Sequence, residues 1–358
     1  MPADEPYPLK FEPIYKEKVW GGRRLERLGR QLPGDASTLI GESWEIADLG
    51  ETSVSGGGGG AARSRICNGP LAGATLHDAV TRLGPALLGN LALTDTGDFP
   101  LLVKYLDAKE NLSVQVHPSP QYAQAHPEAH LKSEAWYIVE AEPDAAIYKG
   151  LKEGTTPQKV RQAITTGTEA DVEALLIRIP VKAGDCHYLP SGTCHALGAG
   201  VLVAEVQTPS DTTFRVYDWG RSGRELHVEP ALESMTFGPA DTRQYEKRTH
   251  IAGMFTTVSR LVQCEHFRIE KVRMSEGYEQ EIPYDQPTVW MVLQGAGRMT
   301  PGNPSRAGRH AHSAEPLTFT KGDTLLLPAS SKDAHVAFDA DTIWLEVTFP
   351  QAQPTQIA

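Results

Sequence analysis

Cysteine is scarce in this chain. Its four residues, Cys67, Cys186, Cys194 and Cys264, make no CxxC pair. A disulfide framework is therefore not expected, and a reducing cytoplasm is the expected compartment. Long apolar runs are also missing. No stretch approaches the ~20 residues that a membrane-spanning helix needs. The start, "MPADEPYPLKFEP", is acidic and Pro-rich and lacks an apolar signal core, so export is not expected. Positive charge is short as well: 34 Lys and Arg stand against 45 Asp and Glu, a net charge of -11. General nucleic-acid binding, which rests on a basic footprint, is excluded. An anionic small substrate is not, because a few cations gathered in one cleft reverse the local field.

The 358 residues are ample for one large or two medium domains. With 33 Gly and 26 Pro, the chain is finely divided. Short runs such as "LLVKYL", "LSVQV", "AWYIV", "CHYL", "VLVAEVQ", "FRVYDW", "VWMVL" and "TLLLP" read as strands, bounded by turn formers. Helical spacing is confined to about 74–90 and to two pieces within 156–178, where Thr156-Pro157 makes a helix start. The run "SVSGGGGGAARSR" reads as a surface loop. "GDCHYLP" (184–190) and "GDTLLLP" (322–328) share G-D-x-x-x-x-P, which suggests two related β-units, the second beginning near 250. Many short strands with such turns point to antiparallel barrels or jelly rolls.

Strand alternation in "LSVQVHP" places Leu112, Val114 and Val116 on one face and Ser113, Gln115 and His117 on the other. Gln115 and His117 then lie about 7 Å apart, within reach of one ion. A lone strand histidine is ordinarily just a hydrogen-bonded residue. Two other segments change that. Glu134 opens the apolar strand "AWYIV", two residues after Lys132, and a buried carboxylate there needs a partner. His195 follows a Pro-Ser-Gly turn and precedes a further strand. Gln115, His117, Glu134 and His195 together form an O, N, O, N set that suits Zn²⁺, with Mn²⁺, Co²⁺ or Fe²⁺ also fitting. His187, on the neighbouring "GDCHYLP" segment, reads as structural. In the second unit Asp333 stands where the first has His195, and His310 and His312 fall in a polar loop, so no metal is expected there. A last cluster holds Glu205, Asp211 and Arg215. Arg215 either pairs with Asp218 or presents its fork to an oxyanion or phosphate.

These segments carry a resemblance. "PIYKEKVWGGRRL" (13–25), "GESWEIAD" (41–48), "FPLLVKYLDAKENLSVQVHP" (99–118), "LKSEAWYIV" (131–139), "AGDCHYLPSGTCHALGAGVLVAEVQTPSDTTFRVYDWGR" (183–221) and "RELHVEPAL" (224–232) resemble the type I mannose-6-phosphate isomerases in their short bacterial form. The resemblance implies a mainly β double cupin, two β-barrel jelly rolls with a small helical insertion at about 155–178. Residues 1–245 would form the metal-bearing cupin and 246–358 a metal-free one. It implies one Zn²⁺ per chain on Gln115, His117, Glu134 and His195, although short members often carry Lys at the position of Gln115. Lys104, Lys132 and Glu42 match active-site positions, and Arg215 matches the catalytic-loop arginine.

The expected reaction is reversible isomerisation of mannose 6-phosphate and fructose 6-phosphate through an enediolate, with a proton moved between C2 and C1. Glu205, Asp211 and Lys132 are the candidate bases, a lysine requiring a depressed pKa. Lys104 and Arg215 would attract the phosphate and the developing charge. Two other readings belong to different classes. A non-catalytic sugar-binding double cupin would have lost a ligand or Lys132 and Arg215. A cupin oxygenase using Fe²⁺ would rest on three His ligands or a His-x-His pair, which the site segments lack. A small-molecule sugar phosphate is the expected partner, with no nucleic acid and no membrane, in a monomer or homodimer.

Overall fold

A computed structural model describes residues 5–53, 58–126, 128–238, 248–300, 316–331 and 334–350. His310, His312 and Asp333 lie outside the described residues. By compactness the chain forms two units rather than separating at a single cut near 245–246. One unit consists of Pro13–Arg63 and Asp98–Tyr245; the other gathers the described residues within Met1–Glu12, Ser64–Gly97 and Glu246–Ala358.

The first unit carries two large antiparallel sheets and a two-stranded one, Asp48–Leu49 with Ala62–Arg63. The strand order in the larger is Cys186–Leu189, Glu134–Ala141, Val201–Gln207, Leu102–Ala108, Ile40–Ile46, Ile14–Gly22. In the smaller it is Leu176–Pro180, Ala146–Leu151, His195–Leu197, Val114–Val116, Phe214–Tyr217. Their inner faces meet over a core to which Leu106, Ile138, Val201 and Val203 come from the larger sheet and Ile147 and Leu197 from the smaller. The outer face of the smaller sheet is covered by helices Pro157–Thr166, Glu169–Leu175 and Val228–Ser234. Val160, Ala163, Val172 and Leu232 pack there on Val114, Val116 and Val216. That cover has a direct consequence. Because Val114 and Val116 bury into the helical layer, the pleat turns Gln115 and its alternate neighbours to the opposite face.

The two insertion helices begin as their sequence suggests. Thr156 accepts from Lys159 N with Pro157 in the first turn, and Thr168 and Asp171 form a reciprocal capping box. The apolar spacing over 74–90 is not one helix but two, Leu76–Leu83 and Pro85–Leu88, in the other unit. Gly84, at φ 48°, and Pro85 break it, since proline cannot continue the backbone ladder.

The second unit has an eight-stranded sheet and a four-stranded one, around a core of Trp290, Trp344, Phe319 and Phe338. Trp290 and Trp344 stack at 4.2 Å. The recurring Gly-Asp does the same work in both units. Gly184 (φ 93°) and Gly322 (φ 91°) adopt the left-handed conformation that favours glycine. Asp185 Oδ2 then accepts from Lys182 N at 2.9 Å, and Asp323 Oδ2 from Thr320 N at 2.8 Å. The sheets of both units are open and antiparallel, with no closed ring of strands among the described residues.

Ile147 is fully buried between the sheets of the first unit. Ile147→Ala is expected to cost about 2–5 kcal/mol of stability. The denaturant midpoint reads it directly; an unshifted midpoint would show that this face is not a packed core.

Candidate active site

Antiparallel register builds the site, because directly paired residues point to the same face. In the smaller sheet Gln115 pairs with His195 on one side and Arg215 on the other. In the larger sheet Glu205 pairs with both Lys104 and Trp136, and Lys104 pairs with Trp44. Two polar rows therefore lie within the first unit. Gln115 and Arg215 of one row and Trp44, Lys104 and Glu205 of the other line one cleft together with Lys18, Glu42, Lys132, Asp211 and Arg224.

His117, Glu134 and His195 converge, one ligand atom from each lying within 4.8 Å of the others. Glu134 Oε2 is 3.4 Å from His117 Nε2, and Oε1 is 3.2 Å from His195 Nε2. All three residues are at most 2% exposed. The second ring nitrogens assign the tautomers. His117 Nδ1 faces Thr212 O at 2.9 Å, and His195 Nδ1 faces Thr193 O at 2.8 Å. A carbonyl only accepts, so each Nδ1 carries the proton and each Nε2 is left as a lone pair. Burial first, then the Lys132 charge, lowers the His117 pKa to about 3 in spite of Glu134. The imidazole is neutral. Glu134 stays ionised: burial works against its charge, but Lys132 and the two histidines hold its pKa well below the usual range. His117 Nε2 and both Glu134 oxygens thus lie buried without a hydrogen-bond partner. Two lone pairs and a carboxylate aimed at one small space repel each other unless a cation sits between them, and two imidazoles with a carboxylate fit a divalent metal.

Gln115 borders this set. Its amide nitrogen stands 3.4 Å from His195 Nε2, and its Oε1 accepts from Ser113 Oγ at 3.2 Å. A half-turn of the amide would bring oxygen to the donor set. Lys132 ion-pairs with Glu134 Oε2 at 3.0 Å. Burial works to lower the Lys132 pKa, yet Glu134, Glu205 and Glu42 together hold it above the ordinary lysine value. The depressed pKa that a lysine base requires is not found.

A chain of alternating charge crosses the cleft. Lys18 approaches Glu42 at 3.2 Å. Lys104 lies 3.8 Å from Glu42 and 3.3 Å from Glu205. Glu42 also accepts from the Trp44 indole at 2.6 Å. Burial opposes its charge, but Lys18 and Lys104 bring its pKa down to about 2. Glu205 differs. Burial and then the Glu134 charge raise its pKa despite Lys104, while the Trp136 indole donates to it at 2.8 Å. Asp211 is engaged by Ser53, whose N–H lies 2.9 and 3.0 Å from its two oxygens. Arg215 does not pair with Asp218, which instead takes Arg221 at 2.8 Å and also Arg224. Arg215 Nη1 donates to Glu225 O at 2.8 Å. His187 lies apart from the donor set, opposite Trp136, and burial followed by Lys149 lowers its pKa to about 4.

Lys18, Trp44 and Arg224 lie in segments that carry the family resemblance but were not singled out as site residues. Alternation in "KEKVWGG" did offer a signal, since it sets Lys16, Lys18 and Trp20 on one face. The carbonyls of Thr193 and Thr212 leave no trace in side-chain chemistry.

A family model for the catalytic domain of type I phosphomannose isomerase matches residues 9–149. A Bacillus subtilis (strain 168) protein described as probable mannose-6-phosphate isomerase GmuF is 38% identical over 300 residues, covering 82% of this chain and 88% of its own. Mannose-6-phosphate isomerase ManA of the same organism is 36% identical over 330 residues, 90% and 93% of the two chains. The crystal structure of the mannose 6-phosphate isomerase from Bacillus subtilis matches with a TM-score of 0.78 and 31% identity, covering 96% of this chain and 99% of that one.

The unsatisfied donor set makes a measurable demand. Removing divalent metal with a chelator is expected to lower the thermal midpoint, and adding it back to restore it. His117→Ala is expected to lose the metal. A variant that kept a full equivalent of ion would place the metal elsewhere.

Proposed function

The chain belongs to the mannose-6-phosphate isomerase family, and from that premise we propose how its own residues carry the reaction. The protein is a metal-dependent-type aldose–ketose isomerase of double-cupin fold that interconverts mannose 6-phosphate and fructose 6-phosphate. In this reading the metal-bearing cupin is the unit of Pro13–Arg63 and Asp98–Tyr245, and no metal is assigned to the other unit. His117, Glu134 and His195 would hold one divalent ion, zinc in this reading, with Gln115, whose amide borders them, as the proposed fourth ligand. The observation that carries this is the buried convergence of His117 Nε2, His195 Nε2 and the ionised Glu134, with His117 Nε2 left without a hydrogen-bond partner. When bound, the ion supplies Lewis-acid stabilisation of the negative charge that develops beside the substrate carbonyl.

The remaining work falls to the cleft. Glu205 is the proton carrier, removing the proton from C2 and delivering it to C1. Its pKa is raised by burial and by the Glu134 charge, the direction that favours a group that must both take and return a proton. Asp211 is committed to Ser53, and Lys132 is held as an ammonium by three carboxylates. Both therefore serve the field in the cleft rather than the transfer. Lys132 and Lys104 neutralise the developing enediolate, while Arg215 with Arg224 supplies the cationic wall for the phosphate and that same charge. Glu42 fixes Lys18 and Lys104 in place. This concentration of cations lets a chain of net charge -11 take an anionic substrate. We place the enzyme in the cytoplasm, as a monomer or homodimer.

A coupled assay tests the reading. The metal-replete protein is expected to turn over mannose 6-phosphate and the chelated protein not to; no turnover when replete would sink it. Glu205→Gln is expected to lower kcat by about 10²–10⁴-fold with metal retained. Asp211→Asn is expected to cost less. The reverse order would move the proton-carrying role to Asp211.

A further inference from the structure

We propose that His227 is a positioning residue for Arg215, holding the arginine's peptide through its imidazole Nδ1; the inference rests on the role given to Arg215 above. Phe214–Tyr217 is an edge strand of the smaller sheet, paired among the described residues only with Val114–Val116, and its register slips between Arg215 and Tyr217. An edge strand leaves backbone groups facing away from the sheet, and these need partners. At Arg215 both come from one residue. The Arg215 N–H donates to His227 Nδ1 at 3.1 Å, and the His227 N–H donates to Arg215 O at 2.8 Å. The neighbouring Glu225 carbonyl takes the guanidinium Nη1 at 2.8 Å. Arg215 is thereby held at its amide, its carbonyl and its head by residues 225–227.

Two further features fit this role. His227 stands at the N-cap of helix Val228–Ser234, yet its side chain caps nothing in that helix. A cap position given up locally is explained where the side chain serves another group. The helix itself is anchored, burying Ala231 and Leu232 in the core that holds Val216, so the imidazole is presented from a fixed element. An Nδ1 that accepts from an amide must be unprotonated. Burial and then the Arg215 charge lower the His227 pKa, which keeps the ring in that form.

The test uses variants of the full-length, metal-replete enzyme. His227→Ala is expected to lower kcat by about ten- to a hundredfold and to raise KM as well, the scale expected when a charged group that serves both phosphate and developing charge is misplaced. Metal content and thermal midpoint are followed alongside. Asn places an acceptor at the δ position, so His227→Asn is expected to recover kcat to within about threefold of the parent. His227→Gln, with its polar atoms one bond further out, is not. Equal losses in Asn and Gln variants, or a parental kcat in His227→Ala, would overturn the proposal. In an Arg215→Ala background, His227→Ala is expected to cost nothing further. If Arg215→Ala impairs turnover and the two losses simply add, the link between them is wrong while the role of Arg215 stands. If Arg215→Ala leaves turnover unchanged, the role of Arg215 itself falls.

Discussion

Everything in the cleft answers to one buried repulsion. Glu134 holds its charge where water is excluded, with an imidazole lone pair facing each of its oxygens. Taking a carboxylate out of water costs several kcal/mol unless it is paired. Lys132 supplies part of the compensation at 3.0 Å, and a divalent ion among these donors would supply the rest. Because Lys132 is committed in this way, its ammonium is fixed at the rim of the metal position and stays charged. The lysine that could have been a base becomes part of the electrostatic frame.

That commitment spreads through the charge chain. The Glu134 charge helps raise the pKa of Glu205, so two carboxylates on neighbouring strands are pushed in opposite directions. Divergence of this kind separates a structural or ligating carboxylate from one that exchanges a proton. Lys104 stands between Glu205 and Glu42, and Lys18 closes the chain on the far side of Glu42. Cations and anions alternate from Lys18 to Glu205, so each buried charge in that chain faces one of opposite sign.

The sheets make this arrangement affordable in backbone terms. Main-chain groups of the paired strands satisfy one another, and the outward faces are covered by helices on one side of the unit. Side chains on the inner faces are then free to be polar where the register lines them up. Gln115 lies directly between His195 and Arg215, and Glu205 between Lys104 and Trp136. A slip of one residue in any of these strands would exchange site residues for core residues.

The sequence alone determined a good deal. Period-2 alternation turned Gln115 and His117 away from Val114 and Val116, and the donor chemistry of His117, Glu134 and His195 pointed to a divalent metal. The Gly-Asp echo marked the two units, because a left-handed turn closed by an aspartate is a local event that needs only those residues. Ordered segments spread along the chain carried the family. Tertiary structure decided the rest. It split the 74–90 helix at Gly84, gathered 64–97 with the C-terminal unit, and gave Asp218 to Arg221 and Arg224 rather than Arg215. It also pushed the pKa values of Lys132 and Glu205 upward. Such outcomes depend on which strands become neighbours and how much water remains between them. A residue's pKa and its partner belong to that packing, whereas its chemical type and its side of the strand are already written in the chain.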